Sequence, residues 1–551
     1  MGAQSDSDRA HRDALDHAPG VSGFAADEET LPMSYFYSPA FIGTVLATGL
    51  GLAAAVGGFG LAAPNLGVIN SDIGPSDNLA WYFFIGAAAL ALVGCIICAV
   101  AKNVNGLIGG TALIGIAASG QQSFSFITGE LVPMKHRFAM NALMYVFCIP
   151  FAAFGPAISK SLVLHTEAGW RWCYYIMIII NFVSGLLFTL FYFPPTFEQK
   201  FTGRSKLQQL KKVDYVGIVL FAAGLFVFLL GLSWGGQQYP WASAEVIATM
   251  VIGFLALVAF ACWETFAKLD EPLLPMHLFK NFKWVVACVL LGLGASIYYA
   301  MAVIWPQMVT VLYTNDGGAS MYAGLLACAP TACINAGQII SGILAAPIGK
   351  TKIQLIVTVI IGGAFLGGPN EKGMATTFII ISCLAIGWVE SVTLSLAGIE
   401  LLDQSEIGTA VGAAGSIRSA ISSLGSAVYL SVLSNRLSET IPNRVPPAAI
   451  DAGLPAVSIP GLLDGFTTGD FSAVEGLTDS ILAAASRAYR YTNAEAYSTV
   501  FYTSIAFTGL AVVLSFFAPN VDDKMTGQVA VTLNKDNKVI NEKGVTQHEE
   551  V

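Results

Sequence analysis

Two residues carry opposite charge inside otherwise apolar runs: Glu390 within 376–400 and Arg418 within 407–433. An ionisable side chain at membrane depth is costly and is a functional candidate for that reason. Glu390 lies about ten residues from the inner end of its segment and Arg418 about eleven from the inner start of the next. At ~1.5 Å per residue both sit roughly 15 Å deep. Consecutive antiparallel helices joined by a short loop are neighbours, so an ion pair at one depth is geometrically allowed. Two roles stay open for it. The pair either holds two helices together, or acts as a proton-coupled switch whose partner exchanges with substrate or water. A carboxylate beside an arginine favours ionisation, and one that loses that partner in a low dielectric favours protonation, which is what proton coupling requires.

Other polar residues in apolar segments are candidates for lining a cavity: Gln121 and Gln122 in 106–129, and Asn335 and Gln338 in 321–346. Asn335 and Gln338 are three apart and share a helical face. Hydrogen bonding between helices is the alternative use for all four. Trp388 is a candidate for an apolar cavity wall, whereas Trp305, next to Pro306 near an outer interface, fits an aromatic belt. Glu130, Glu264 and Lys160 lie near segment ends, where snorkelling and local pairing account for them.

The elements that position these residues are membrane helices. Of 551 residues, 55% are hydrophobic and 11% charged, with mean hydropathy +0.66. Soluble chains carry about a quarter charged residues, so this is an all-α polytopic membrane protein. Net charge is −9 and no basic face is clustered, so a nucleic-acid partner is not expected. All nine cysteines fall in apolar segments, which argues against a disulfide framework, and the Cys95-x-x-Cys98 pair has no histidine or second pair nearby. No metal or cofactor is expected. Nor is an enzyme: the six histidines are scattered, and no nucleophile motif or phosphate loop is present.

A spanning helix needs about 20 mostly apolar residues. Thirteen segments qualify: 41–69, 82–101, 106–129, 138–163, 171–193, 214–234, 245–265, 284–310, 321–346, 352–368, 376–400, 407–433 and 496–518. The stretch 194–213 separates two sets of them and carries Lys200, Arg204, Lys206, Lys211 and Lys212. Short loops rich in Lys and Arg stay cytoplasmic. With this loop inside, inner loops hold twelve Lys/Arg against three outside. The organisation that follows is an acidic disordered cytoplasmic tail (1–40), a five-span N-terminal bundle (41–193), the basic linker (194–213) and two extra spans (214–265). A C-terminal bundle (266–433 and 495–518), a long extracellular loop (434–494) whose helix-like later part reads as a short surface helix capping the outer mouth, and a cytoplasmic tail (519–551) complete it. The first 40 residues contain no apolar run, so no cleavable signal peptide is expected, and Asp6 breaks a myristoylation pattern at Gly2. Five spans before a cytoplasmic linker would leave that unsignalled tail outside. One span is therefore expected to be absent between Asn70 and Tyr82.

Several stretches are similar to the fungal trichothecene efflux pump family, a fourteen-span branch of the major facilitator superfamily. They include GLGLAAAVGGFGLAAPNLGVINSDIGP, GELVPMKHRFAMNALMYVFCIP at 129–150, WRWCYYIMIIIN at 170–181, DYVGIVLFAAGLFVFLLGLSWGG at 214–236 and FFAPNVDDKMTGQVAVTL at 516–533. The resemblance implies a major facilitator fold with its binding site between two halves near mid-bilayer. It also implies a gating loop of the form G-x-x-x-D-x-x-G-R-R after the second span. Here SDNLAW runs directly into YFFIGAAALALVGC, so the second span and that loop are missing at Trp81/Tyr82. PFAAFGPAIS resembles the Gly-Pro element of drug:proton antiporters through Gly155 and Pro156, with Ala152 and Ala153 in place of other glycines.

The function this implies is proton-coupled efflux of small apolar toxins, metabolites or drugs by a monomer in the lipid bilayer of the plasma membrane, with the vacuolar membrane as the other possible site. Uptake of a ferric siderophore is the near alternative. A transport-defective or sensor-like membrane protein is the distant one, because the gating loop is missing.

Overall fold

The computed structural model describes residues 26–27, 35–60, 91–121, 124–191, 214–236, 238–267, 276–314, 320–366, 371–401, 404, 407–468, 470–472 and 474–529. The 1–25 part of the acidic tail, the 194–213 linker, Gln122 and the Trp81/Tyr82 junction lie outside them.

The described residues are helical almost throughout. The helices are α1 (Pro39–Gly60), α2 (Ala91–Val100), α3 (Val104–Gln121), α4 (Phe124–Leu131), α5 (Arg137–Ala152), α6 (Gly155–His165), α7 (Arg171–Phe191), α8 (Tyr215–Trp234) and α9 (Ala244–Phe266). They continue as α10 (Phe282–Met308), α11 (Met321–Ala327), α12 (Ala329–Ile348), α13 (Thr351–Ala364), α14 (Lys372–Ile399), α15 (Ile407–Asp451), α16 (Ile459–Thr468) and α17 (Asp479–Ser515). Each of the thirteen expected segments contains helix. Seven helical stretches among the described residues are long and apolar enough to cross a bilayer, and others, such as α2 and α13, are shorter.

Helix starts follow side-chain chemistry. Asp214 caps α8 by accepting from Gly217 N at 2.9 Å, Ser243 caps α9 from Val246 N at 3.3 Å, and Asn281 caps α10 from Trp284 N at 3.3 Å. Each cap satisfies a backbone donor that the first turn leaves unpaired. The α8–α9 hairpin packs its partners on each other through Gly224 and Gly253, and α8 also rests on α15.

The first half gathers α1, α2, α3, α5 and α7, and the second gathers α10, α12, α13, α14, α15 and α17. The halves meet where α5 packs on α12, α6 on α11 and α4 on α15. Within the second half, α12 and α14 approach at Gly337 and Gly387. A Cβ on Gly337 would meet the Leu384 backbone, and one on Gly387 the Ile334 backbone. Two glycines thus set this helix pair close, as small residues do where backbones must touch in lipid.

Two expectations are corrected here. The first is that 434–494 forms a loop. Instead α15 continues unbroken for 45 residues, about 67 Å at ~1.5 Å per residue, well beyond a ~30 Å hydrocarbon layer. It returns through α16 into the 37-residue α17. Val445, Ala449, Leu454, Leu462, Val474, Ile481 and Ala485 form a separate apolar core there. Pro442, Pro446 and Pro447 lie within α15, and burial of Val445 and Ala449 against α17 and the returning chain holds the helix together there. The second concerns Trp305. It is 1% exposed and donates from Nε1 to Leu326 O at 2.8 Å, so it packs inside the second half rather than at a lipid interface.

After α17 the chain folds back across the end of the bundle where α5 begins. Ala518 and Val521 are buried with Met134, Phe138 and Leu355, and the two-residue strand β2 (Gln528–Val529) pairs antiparallel with β1 (Ala26–Asp27).

Candidate functional site

Glu390 sits on α14 and is 1% exposed. Arg418 on α15 reaches it: Nε donates to Oε1 at 3.0 Å, and Nη2 contacts the same oxygen. The second carboxylate oxygen is held from another helix, because Gln338 Nε2 on α12 donates to Glu390 Oε2 at 3.0 Å. The guanidinium also lies over the Tyr299 ring of α10, 5.7 Å from its centroid. Four helices of the second half therefore converge on one carboxylate. Charge, a neutral amide and an aromatic face each satisfy part of a pair that would be expensive to bury unpartnered.

Asn335, one turn away on α12, points to the other half: its Nδ2 donates to Tyr145 O on α5 at 3.2 Å. The two polar residues of this face thus do different things. Gln338 holds the ion pair and Asn335 holds the seam beside it. The Tyr145 ring, itself 6% exposed, packs edge-on to Phe124 of α4.

The remaining sequence candidates fall elsewhere. Trp388 turns toward α13, donating from Nε1 to Gln354 Oε1 at 3.1 Å, so it braces the second half rather than flanking Glu390. Gly155 and Pro156 lie at the break between α5 and α6, with both residues buried and Pro156 in the first turn of α6, where a missing N–H costs nothing. Gln121 closes α3. Glu264 is buried at the inner end of the α8–α9 hairpin, beside Gly217 and near the Asp214 cap. None of the nine cysteines is in a disulfide.

Sequence reasoning passed over an inner seam between the halves. Arg137 at the start of α5 is 3% exposed, and its Nη1 donates to Gly398 O at 3.1 Å and Gln404 Oε1 at 2.9 Å. One turn deeper, Asn141 Nδ2 donates to Ser395 Oγ at 3.0 Å while its Oδ1 accepts from Thr128 Oγ1 at 3.0 Å. The signal was present: Arg137 and Asn141 are four apart in GELVPMKHRFAMN and share a face. Nothing local, however, names a partner more than 250 residues away.

A buried ion pair beside a seam between two helical halves defines a polytopic membrane transporter. The chain matches the profile of the fungal trichothecene efflux pump (TRI12) family over residues 80–549, and it belongs to that family. The match begins at residue 80, beside the Trp81/Tyr82 junction. The trichothecene efflux pump TRI12 of Trichoderma arundinaceum is 28% identical, covering 92% of this chain and 91% of that protein. The corresponding pump of Fusarium sporotrichioides is 26% identical with the same coverage, and the MFS-type transporter prx5 of Penicillium rubens is 29% identical over 80% of this chain and 81% of its own length. Among solved structures, a bacterial homologue of the human lysosomal transporter Spinster covers 88% of this chain at 14% identity, with a TM-score of 0.46.

Proposed function

We propose that this chain exports small apolar metabolites or drugs across the plasma membrane, by alternating access driven by inward movement of protons. The observation that carries this reading is Glu390, a carboxylate 1% exposed, held by Arg418 on one oxygen and Gln338 on the other. A displacement of α15 against α14 would part the carboxylate from its cation, and this is the movement the reading assigns to proton coupling. Asn335, on the same face as Gln338, ties that region to α5 of the other half, which gives a route for rocking of the halves to reach the pair. Export rather than import is supported by the efflux pumps among the relatives and by the Gly155–Pro156 break in α5–α6. The aromatic residues near the pair, Tyr145, Tyr298 and Tyr299, suit apolar ring systems better than charged solutes. The working unit is a monomer, and no catalytic step is assigned to it.

The test is protection of drug-sensitive fungal cells. Cells expressing the chain should survive a sesquiterpenoid toxin or an azole that kills controls, and Glu390→Gln at equal surface abundance should remove the gain. Absence of protection across a broad panel, with the protein at the cell surface, overturns the reading.

A further inference from the structure

The segment that follows the last helix was singled out by its sequence, yet transport chemistry leaves it unused. We propose that residues 516–529 form a strap that ties the two halves together across the inner face and must release the first half whenever that face opens. On the second-half side the strap is anchored firmly. Asp522 accepts from Lys350 N through both oxygens, at 3.1 and 2.8 Å, and Lys350 holds a left-handed φ of 52° that a non-glycine residue adopts only when its surroundings compensate. Thr351 Oγ1 donates to Pro519 O at 3.2 Å and to Asn520 Oδ1 at 3.3 Å. Lys524 Nζ lies 3.2 Å from Glu400 Oε2 at the end of α14, with that carboxylate side chain 4% exposed. Val521 is fully buried.

The far end of the strap grips the first half. Lys135 N donates to Thr526 O at 3.0 Å, and Thr526 Oγ1 contacts Met134 Sδ at 3.7 Å. Met134 and Lys135 immediately precede α5, the helix whose Arg137 and Asn141 close the inner seam. The second-half side has a carboxylate on a backbone N–H and an ion pair, and the first-half side a backbone hydrogen bond and a sulfur contact, while Val521 is buried between Leu355 of the second half and Met134 and Phe138 of the first. Opening of the inner face parts Met134 and Lys135 from the strap, which stays with the second half through Asp522 and Lys524.

This rests on alternating access, so the test reads opening directly rather than transport. A reporter Ser395→Cys at the inner seam is labelled with a thiol reagent in membranes. Loosening the strap with Asp522→Ala and Lys524→Glu is expected to raise the labelling rate about tenfold, equivalent to ~1.4 kcal/mol of lost closure. Thr526→Cys with Met134→Cys, oxidised to a disulfide, is expected to suppress labelling until reductant is added. A disulfide between Thr351→Cys and Asn520→Cys, which stays within the second half, is expected to leave it unchanged. Equal labelling of the oxidised and reduced Thr526→Cys/Met134→Cys protein overturns the proposal. That outcome is separate from a failure to export, because no substrate is involved.

Discussion

Gln338 and Glu390 are joined across two helices by a 3.0 Å hydrogen bond, and Arg418 holds the carboxylate oxygen that Gln338 does not. An amide cannot change charge. Gln338 therefore fixes where Glu390 points in either protonation state, while Arg418 is the partner whose approach depends on charge. Gln338→Ala should lower the rate of export and leave Arg418 in place, whereas Gln338→Glu sets a second carboxylate against the first and should abolish export. Uptake of a fluorescent substrate into inverted vesicles separates the two, and equal activity of the variants would contradict this assignment.

Removing one member of the pair is expected to cost more than removing both. Arg418→Leu leaves a buried carboxylate and should destabilise the protein by ~3–5 kcal/mol. Glu390→Gln with Arg418→Leu should recover part of that loss without recovering transport. Thermal unfolding in detergent, read by thiol exposure, gives the order: wild type, then the double variant, then Arg418→Leu.

The inner seam should behave as a gate. Arg137→Ala removes the hydrogen bonds to Gly398 O and Gln404 from a residue 3% exposed, and a buried hydrogen bond from a charged donor is worth ~1.5–3 kcal/mol. Cytoplasmic-side protease and thiol accessibility should both rise in this variant, while Asn141→Asp, which turns a donor into a second acceptor facing Ser395, should open the seam similarly.

The outer helical hairpin should be separable in stability from the membrane part. Its core residue Leu462 is fully buried, and truncating such a leucine to alanine costs ~2–5 kcal/mol. Leu462→Ala should bring protease cleavage within 452–478 while leaving the membrane helices protected. By contrast, Glu495 bridges Arg436 at 2.7 Å and Arg444 at 2.6 Å, but all three side chains are about a third exposed or more. Glu495→Gln should therefore cost no more than ~1 kcal/mol.

The membrane helices and the depth of the ion pair were legible because both follow from one-dimensional rules: apolar run length, and residue count from a segment end. Glu390 and Arg418 could be paired from sequence since their helices are consecutive. Gln338 could not be assigned to Glu390, because 52 residues separate them and one helical face offers several neighbours. Trp305 was placed by its local company at an interface, yet tertiary packing turns it inward to Leu326 O, and Trp388 bonds Gln354 of the neighbouring helix. Within 434–494 the helix-like later part was legible, but the continuation of α15 to Asp451 was not, because polar composition signals a loop in water, while a helix continuing from an earlier one starts with its nucleation cost already met. Inner contacts such as Arg137 with Gln404 showed on one side only: Arg137 and Asn141 share a helical face, but nothing local names partners more than 250 residues away.

The most direct measurement of the central claim is proton movement in sealed proteoliposomes under an imposed pH gradient, with a transported apolar substrate added to one side. The account predicts that substrate accelerates dissipation of the gradient with wild-type protein, and that Glu390→Gln, reconstituted at equal amount, abolishes the acceleration while substrate still binds. Substrate-linked proton movement that persists in Glu390→Gln would contradict it.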